Sequence, residues 1–266
     1  MVFENINEAY KQIITDLKSA PLSANTRELN NYCFTIKNIE DNIVSCIPIS
    51  LSYLCGEMLW YAKASEDLMF LSKFESTGYN RISLDNYANS AYGHIVHKRF
   101  GFDQVEQVIS ILGNCSTSRR AIINFNVPDR HRGTILDEIC TIALQFYIKN
   151  DELNCTAIMR SNDAFGCLPY DFAFFTELQK YIAYRLNRKC GTYTHFAVSF
   201  HYYTFKDDVF VYNESDKIVH FDYKLLLDKV DSIWNKVECM LSVTTFKRVD
   251  DEVPQLFEKE LILKFN

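Results

Sequence analysis

The stretch RSNDAFGCLPYD, from Arg160 to Asp171, places a cation, a hydroxyl, an amide and two carboxylates close together in the chain. Arg160 and Ser161 end a predicted strand, and both side chains donate hydrogen bonds, which suits a phosphate group. Asp171 stands before a predicted helix, where a carboxylate commonly caps the helix by accepting from its first amides. The stretch therefore predicts either a polar loop that ends in a helix cap or one wall of a site that binds an anion and reads a base.

Cys140, in LDEICTIALQFYI, is a candidate nucleophile near the start of a predicted strand. A single cysteine is usually a small buried hydrophobic residue. Reactivity requires nearby cations that lower the pKa of the thiol, because the thiolate is the nucleophile. Asp137 and Glu138 oppose that shift unless arginines from elsewhere in the fold outweigh them, so both interpretations stay open.

Glu57 lies within SLSYLCGEMLWYAKAS, a predicted helix that is mostly apolar. A carboxylate on the buried face of such a helix is costly unless it is hydrogen-bonded or functional. Glu57 is therefore either a general acid or base with a raised pKa, or a residue just off the buried stripe.

Arg119 and Arg120, in SRR, form an adjacent pair at a predicted strand start. Neighbouring strand residues point to opposite faces, so one ligand on one chain would rarely use both guanidiniums. A site shared between two subunits could use them, and a solvated basic turn is the other interpretation.

Helical and alternating apolar patterns predict the elements that must position these residues. Helices are expected over residues 5–19, 50–65, 102–114 and 172–190, with Gly113 and Gly191 at the ends of the last two. Strands are expected over residues 30–38, 121–128, 140–161 and 195–205, the third being two strands joined at 149–152. With no repeat or linker, the pattern predicts a mixed α/β (α+β) fold, one domain over 1–266 built around a large sheet.

Composition excludes several classes of protein. A net charge of −6 over 266 residues disfavours general binding of nucleic acid. Nine cysteines without a CxxC pair, zinc-type spacing or secretory signal favour reduced thiols, a cytoplasmic location and no metal site. The longest apolar runs are shorter than the ~20 residues that cross a bilayer.

Taken in order, these motifs resemble those of the thymidylate synthase family. They are SRR, a cysteine about twenty residues later, QFY, RSND with a following glycine and proline, and HYY, and the resemblance is clear from GEMLWY to Tyr203. It implies a large twisted mixed sheet covered by helices, and a homodimer that associates through that sheet. It also implies a pyrimidine nucleoside monophosphate as substrate and 5,10-methylenetetrahydrofolate as co-substrate, with no metal.

The resemblance implies catalytic roles for three of these residues. Cys140 would add to C6 of the pyrimidine and so make C5 a carbon nucleophile. Glu57 would handle protons and ordered water beside the base, and the Tyr92 hydroxyl would help to place the thiol and that water.

Binding roles follow from the same resemblance. Arg27, Arg160 and Ser161 would hold the 5′-phosphate, joined by Arg119 and Arg120 from the second subunit. That arrangement also explains the adjacent arginines, because dimer geometry divides the pair.

Three further residues would contact the sugar and the folate. His201 and Tyr203 match the family's pair that hydrogen-bonds the sugar 3′-hydroxyl, and two residues apart they share a strand face. Asp163 matches the carboxylate that binds the pterin of the folate.

Asp171 stands where thymidylate synthases carry an asparagine that reads uracil. Cytosine presents an exocyclic amine at position 4, and a carboxylate accepts from that amine and favours a protonated N3, which gives a paired, charge-assisted contact. MRSND at 159–163 and Thr141 after the cysteine also resemble the deoxycytidylate and cytidylate hydroxymethylase branch, in which water adds to the transferred carbon. The resemblance thus implies a 5-hydroxymethylcytosine nucleotide as product, with Asp171 in the chemistry as well as in recognition.

Two alternatives stay open. One is methylation of dUMP, as in a true synthase. The other is a nucleotide-binding homologue without turnover, suggested by NRISLDNYANSAYG, which lacks the family's folate-stacking tryptophan. The sequence does not distinguish CMP from dCMP.

Overall fold

A mixed seven-stranded sheet forms the centre of the protein in the computed structural model, which describes residues 1–74, 87–126, 137–214, 221–243 and 246–261. The strand order is β1-β3-β7-β6-β5-β4, with β2 paired to β3. The β1–β3 and β6–β7 pairs are parallel and the others antiparallel. Part of NRISLDNYANSAYG, residues 80–86, lies outside the described residues, as do residues 127 and 128 of the second predicted strand.

The elements have the following bounds. The strands are β1 Val2–Phe3, β2 Leu22–Ser23, β3 Thr26–Ile36, β4 Ile122–Asn124, β5 Thr141–Lys149, β6 Glu152–Asp163 and β7 Lys189–Tyr203. The helices are α1 Ile6–Ser19, α2 Leu51–Ala62, α3 Leu68–Leu71, α4 Tyr92–His97, α5 Gln104–Asn114, α6 Leu168–Arg185, α7 Tyr223–Val243 and α8 Phe246–Leu261, with a 3₁₀ turn at Thr204–Lys206. Within these described ranges no helix is long and apolar enough to span a membrane.

Aromatic side chains fill the space between the sheet and the helices. All of α2 is buried except Leu51, because its residues are apolar on every side. Phe174 of α6 packs on Tyr61 with ring centroids 4.4 Å apart, and Phe175 stacks on Tyr92 at 5.9 Å. This packing fixes α2, α4 and α6 against one another, and these helices carry three of the predicted site residues.

The alternation of buried residues in β7 changes phase near its end. Tyr193, His195 and Ala197 are buried, but the next buried residues are Phe200 and Tyr202. His201 and Tyr203 therefore point away from the core, with their rings 5.4 Å apart. The prediction that these two share a face is confirmed.

Both predicted ends of the fourth helix were wrong, and so was the position of Gly113 at the end of the third. Helix α6 begins at Leu168, with Pro169 in its first turn, so Asp171 lies inside the helix and not before it. The helix ends before Asn187, which adopts a left-handed conformation with φ 52°, and β7 has already begun at Gly191. An asparagine thus takes the role expected of Gly191, since it tolerates positive φ better than most residues.

The other boundary concerns Gly113, which lies inside α5 and not at its end, because the helix continues to Asn114. A Cβ atom at Gly113 would meet only Leu186, at 3.8 Å. Nothing in the described surroundings therefore requires a glycine there.

Gly93 is the position where a side chain would do most damage. A Cβ atom there would lie 2.1 Å from the carbonyl oxygen of Tyr61, so α4 crosses α2 with its backbone in direct contact. We expect Gly93→Ala to lower the free energy of unfolding by about 3 kcal/mol or more, because backbone must shift. Urea unfolding measures this, and Gly113→Ala is the matched control, expected to stabilise α5 by up to about 1 kcal/mol. Equal effects of the two changes would contradict the close crossing.

Candidate active site

Cys140 and Arg160 lie side by side at the point where β5 begins and β6 nears its end. The thiol is half-buried, and Nη2 of Arg160 lies 3.7 Å from its sulfur. The Arg160 guanidinium also donates from Nε to the carbonyl of Ile139 at 2.9 Å and from Nη2 to that of Glu138 at 2.8 Å. The arginine therefore holds the backbone that carries the thiol and supplies the cation beside it.

Burial raises the pKa of Cys140 to about 11, and nearby carboxylates add to the rise. Arg160 opposes both effects, because its charge stabilises the thiolate. Arg160 therefore does not outweigh burial and the carboxylates, and the thiol stays protonated at neutral pH. The role of Cys140 as nucleophile stays a prediction.

Asp171 is a buried carboxyl group whose partner is another side chain. It is 8% exposed, and Nδ2 of Asn162 donates to its Oδ2 at 2.7 Å. Its own backbone N–H donates to the carbonyl of Cys167, as in an ordinary helical turn, and no amide of the described part of α6 is capped by its side chain. The helix-cap interpretation of Asp171 is therefore wrong, since the residue lies within the first turn.

Two buried carboxyl groups interact electrostatically in the site. Burial and the charge of Glu57 together raise the pKa of Asp171 to about 8. Burial raises the pKa of Glu57 to about 7, against hydrogen bonds from Tyr53 and Tyr61 that lower it. Near neutral pH this pair can therefore hold a proton and release it, which is the property required of an acid or base catalyst.

Glu57 has one satisfied oxygen and one unsatisfied oxygen. Its Oε1 accepts from the Tyr53 hydroxyl at 3.0 Å, one helical turn earlier in α2. Its Oε2 is buried without a hydrogen-bond partner in the described structure. A buried orphan oxygen costs stability unless a ligand or water supplies a donor, so Glu57 is not an off-stripe surface residue.

Tyr92 joins α4 to the strand of the nucleophile. The residue is buried, and its hydroxyl accepts a hydrogen bond of 2.8 Å from Thr141, the residue that follows Cys140. Asp137 fixes the turn before α4, because its Oδ2 accepts from the N–H of Ser90 at 3.0 Å. The Tyr92 hydroxyl therefore contacts the residue next to Cys140, as expected of a group that helps to place the thiol.

The residues predicted to bind sugar, phosphate and pterin line up on neighbouring strands. Asp163 pairs in register with His201 and Ser161 with Ser199, on the side of β6 and β7 that also carries Tyr203. Nδ1 of His201 is buried without a hydrogen-bond partner among the described residues. The structure therefore brings these predicted residues together at the end of the sheet where Cys140 lies.

Three arginines that were predicted to bind the phosphate do not lie beside Arg160. Arg27 is the cross-strand partner of Tyr202 and donates to the carbonyl of Ala20 at 2.6 Å, on the side of α1. Arg119 and Arg120 are exposed before β4, where the Arg119 carbonyl accepts from Gln145. Their roles at the phosphate stay predictions.

Asn162, the partner of Asp171, and Tyr53, the partner of Glu57, had no role assigned from the sequence. The i, i+4 spacing of Tyr53 and Glu57 on one helix was a usable signal. Asn162 stands in RSND beside the predicted site residues, but its contact with Asp171 depends on the turn between β6 and α6. Among the described residues, no group of three His, Cys, Asp or Glu side chains is arranged to hold a metal ion.

The raised carboxyl pKa values predict how stability changes with pH. A carboxyl group whose pKa is higher in the folded protein binds protons more tightly there, so unfolding becomes easier as pH rises between the two pKa values. For Glu57 this window runs from about 4.5 to about 7. We expect wild type to lose up to about 3 kcal/mol more than Glu57→Gln between pH 4.5 and 8, measured by urea unfolding. Glu106→Gln, a change at an exposed carboxylate, is the control, and parallel curves for wild type and Glu57→Gln would contradict the assignment.

Comparisons with known proteins agree on one family. The family model described as thymidylate synthase matches residues 13–255. A thymidylate synthase of Buchnera aphidicola subsp. Baizongia pistaciae is 28% identical over 144 residues, which cover 52% of this chain and 54% of that protein. One from Buchnera aphidicola subsp. Acyrthosiphon pisum is 29% identical over 150 residues, again 52% and 54%.

Among solved structures, the thermostable thymidylate synthase A from Bacillus subtilis superposes with a TM-score of 0.62 at 23% identity. The match covers 77% of this chain and 82% of the Bacillus subtilis chain. At that identity the likeness establishes the fold, which confirms the predicted large mixed sheet covered by helices. The matched part of this chain spans about half the length of the curated relatives.

Proposed function

Because the chain belongs to the thymidylate synthase family, we propose that it transfers a one-carbon unit to C5 of a cytosine nucleotide, CMP or dCMP. The co-substrate is 5,10-methylenetetrahydrofolate, and addition of water gives the 5-hydroxymethylcytosine nucleotide. The observation that carries the cytosine assignment is the buried carboxyl group of Asp171, eleven residues after Arg160, with a pKa raised to about 8 by burial.

Asp171 suits cytosine in its protonated form. A neutral carboxyl group has one O–H donor and one carbonyl acceptor. Cytosine offers an acceptor at N3 and a donor at its exocyclic amine, so the two edges pair without an unsatisfied group. Uracil offers the reverse, an N–H at N3 and an oxygen at position 4, and an ionised Asp171 would leave that oxygen without a donor.

The nucleophilic step needs a thiolate and a proton acceptor on the base. Cys140 passes its proton to water and becomes the thiolate, which Arg160 stabilises at 3.7 Å. As sulfur bonds to C6, the Asp171 proton passes to N3, and C5 becomes the carbon nucleophile. Glu57 then moves the protons that leave and return at the base, through the oxygen that has no partner in the described structure.

Methylenetetrahydrofolate supplies the one-carbon unit at the oxidation level of formaldehyde. Asp163 would hold its pterin, because a carboxylate accepts from the ring N–H groups. Oδ1 of Asp163 accepts from the N–H of Phe165 at 2.9 Å, which orients the group. Gly166 leaves Oδ2 uncovered, since a Cβ atom there would lie 2.7 Å from it.

The nucleotide phosphate and sugar would lie along the ends of β6 and β7. Arg160 and Ser161 supply donors for the phosphate, and His201 and Tyr203 supply groups for the sugar 3′-hydroxyl. Arg27 would have to release Ala20 to join them. Arg119 and Arg120 would act from the second subunit of a homodimer.

The outer face of the sheet supports that dimer. Val198 is 44% exposed, and Phe196 and Ile158 on neighbouring strands are half-buried. An apolar sheet face of this kind suits burial against a copy of itself. Sedimentation equilibrium tests the homodimer independently of activity.

Incubation of the pure protein with methylenetetrahydrofolate and CMP, dCMP or dUMP tests the proposed function. A 5-hydroxymethyl product from CMP or dCMP, with tetrahydrofolate released, is the expected result. No product from either cytosine nucleotide would overturn it. Tight nucleotide binding without any product would instead identify a binding homologue without turnover.

Methylation of dUMP is the second candidate, favoured by the name that the matched relatives carry. It would release dihydrofolate, which absorbs at longer wavelength than the substrate folate. The carboxyl group of Asp171 makes it the weaker candidate, because ionised it offers no donor to uracil O4.

A further inference from the structure

Asn162 has no role in the site as described so far, although its side chain makes the closest polar contact to the base reader. It is 1% exposed, and its Nδ2 donates to Oδ2 of Asp171 at 2.7 Å. Its Oδ1 is buried without a hydrogen-bond partner in the described structure. A buried amide with an unsatisfied oxygen destabilises the fold, so a functional requirement at Asp171 would explain why it is kept.

The hydrogen bond from Asn162 distinguishes the two oxygens of Asp171. An oxygen that accepts from an N–H is the carbonyl or anionic oxygen of the group, and the proton of the neutral acid then sits on the other oxygen. Oδ2 is therefore an acceptor and Oδ1 carries the proton. Cytosine requires this division of roles, with an acceptor for its amine and a donor for N3.

We propose that Asn162 is a positioning residue that fixes Oδ2 of Asp171 as the acceptor for the cytosine amine and Oδ1 as the donor to N3. This inference rests on the proposed function, in which Asp171 reads cytosine. Without Asn162 the proton can occupy either oxygen, and with the proton on Oδ2 the carboxyl group presents the wrong pattern to the base.

The groups around Asp171 determine the pH dependence of this arrangement. Asn162 holds the pKa of Asp171 down, whereas burial and the charges of Glu57 and Asp163 raise it. The other titratable groups that interact with Asp171 come from α1, β7, the chain before β5 and the turn before α6, and are Tyr10, Tyr193, Cys140 and Cys167. Removal of the amide should therefore raise the pKa of Asp171 further.

Binding of CMP and UMP to wild type and to Asn162→Ala, measured by calorimetry from pH 6 to 10, tests the proposal. We expect CMP affinity to fall about 10-fold at neutral pH, because the correct pattern is no longer fixed. UMP affinity should change little, so discrimination falls by the same factor. The pH at which CMP binding is lost should rise by about one unit. Asn162→Ser, which keeps a short donor, should restore part of both changes.

Asn42→Ala is the matched control. Asn42 is likewise fully buried, donates from Nδ2 to a buried carboxylate, Oε1 of Glu177, at 2.6 Å, and has an Oδ1 without a partner in the described structure. It should lower stability by a similar amount to Asn162→Ala but leave base discrimination and the pH profile unchanged. A merely structural Asn162 would behave in the same way as Asn42, and that result would overturn the proposal.

A ¹³C titration of the Asp171 carboxyl group separates this inference from the proposed function, with Asp171→Asn used to assign the signal. If Asp171 titrates at higher pH in Asn162→Ala but wild type binds no cytosine nucleotide, the coupling stands and the cytosine assignment falls. If CMP binds to wild type and neither discrimination nor the titration changes in Asn162→Ala, the inference falls and the proposed function stands.

Discussion

Cys140→Ala is expected to lower turnover by about 10⁴-fold or more while nucleotide affinity changes less than about threefold. The covalent bond to C6 is what makes C5 reactive, so no other residue replaces the thiol. Affinity should persist because Arg160 keeps its bonds to the carbonyls of Glu138 and Ile139 without the sulfur. Two measurements on the same preparation check the prediction: product formation for the loss of turnover, and calorimetric binding of CMP or dCMP for the retained affinity.

The control for the nucleophile is Cys33→Ala, which removes an exposed thiol in β3. It should leave turnover unchanged. A 5-fluorocytosine nucleotide with methylenetetrahydrofolate should form a covalent adduct with wild type and with Cys33→Ala but not with Cys140→Ala. Turnover by Cys140→Ala above about a tenth of wild type would remove Cys140 from its assigned role.

Asp171→Asn is expected to change the ratio of kcat/KM for cytosine over uracil nucleotides by about 10²-fold or more in favour of uracil. An amide can accept from uracil N3–H and donate to O4, whereas toward cytosine it cannot satisfy both N3 and the amine without reorientation. Because the carboxyl group caps no amide of the described part of α6, loss of a helix cap does not complicate the result. Competition between the two nucleotides in one tube measures the ratio directly.

Asp163→Asn is the matched control, because it neutralises a neighbouring carboxylate at the end of β6. It should weaken the response to folate and leave base preference as in wild type. Equal base preference in wild type and Asp171→Asn would mean that Asp171 does not face position 4 of the base, and the cytosine assignment would fail.

The sequence alone predicted strands β3 to β7 and helices α1, α2, α5 and α6 in their order, and the sharing of one face by His201 and Tyr203. It did not predict β1, β2, α3, α4, α7 or α8. The helical period of apolar residues and their alternation along strands determine the predicted features, and both patterns are local properties of the chain. The end of α6 was misplaced because Gly191 is a conspicuous signal and Asn187 a weak one, although either residue can adopt positive φ. Asp171 was a plausible cap because the sequence did not reveal that α6 already begins at Leu168. That start depends on the turn after β6.

The contacts between side chains inside the site could not be predicted from the sequence. Asn162 and Asp171 belong to a strand and a helix, and their contact depends on the helix starting at Leu168. Glu57 and Asp171 are more than a hundred residues apart, and only the folded chain brings the charge of Glu57 near enough to raise the pKa of Asp171. Motif order predicted which residues take part, but their protonation states follow from burial in the assembled core.

The position of β7 in the sheet has a consequence for how the chain is made. β7 is the last of the described strands to leave the ribosome, yet it lies between β3 and β6 and supplies the partners of both. Until Tyr203 has been synthesised, the described strands of the nascent chain form two separate sheet fragments, each with an unpaired edge. Such late, non-local pairing is slow and leaves edges open to other chains, so folding of this protein should depend on chaperones until β7 has been made.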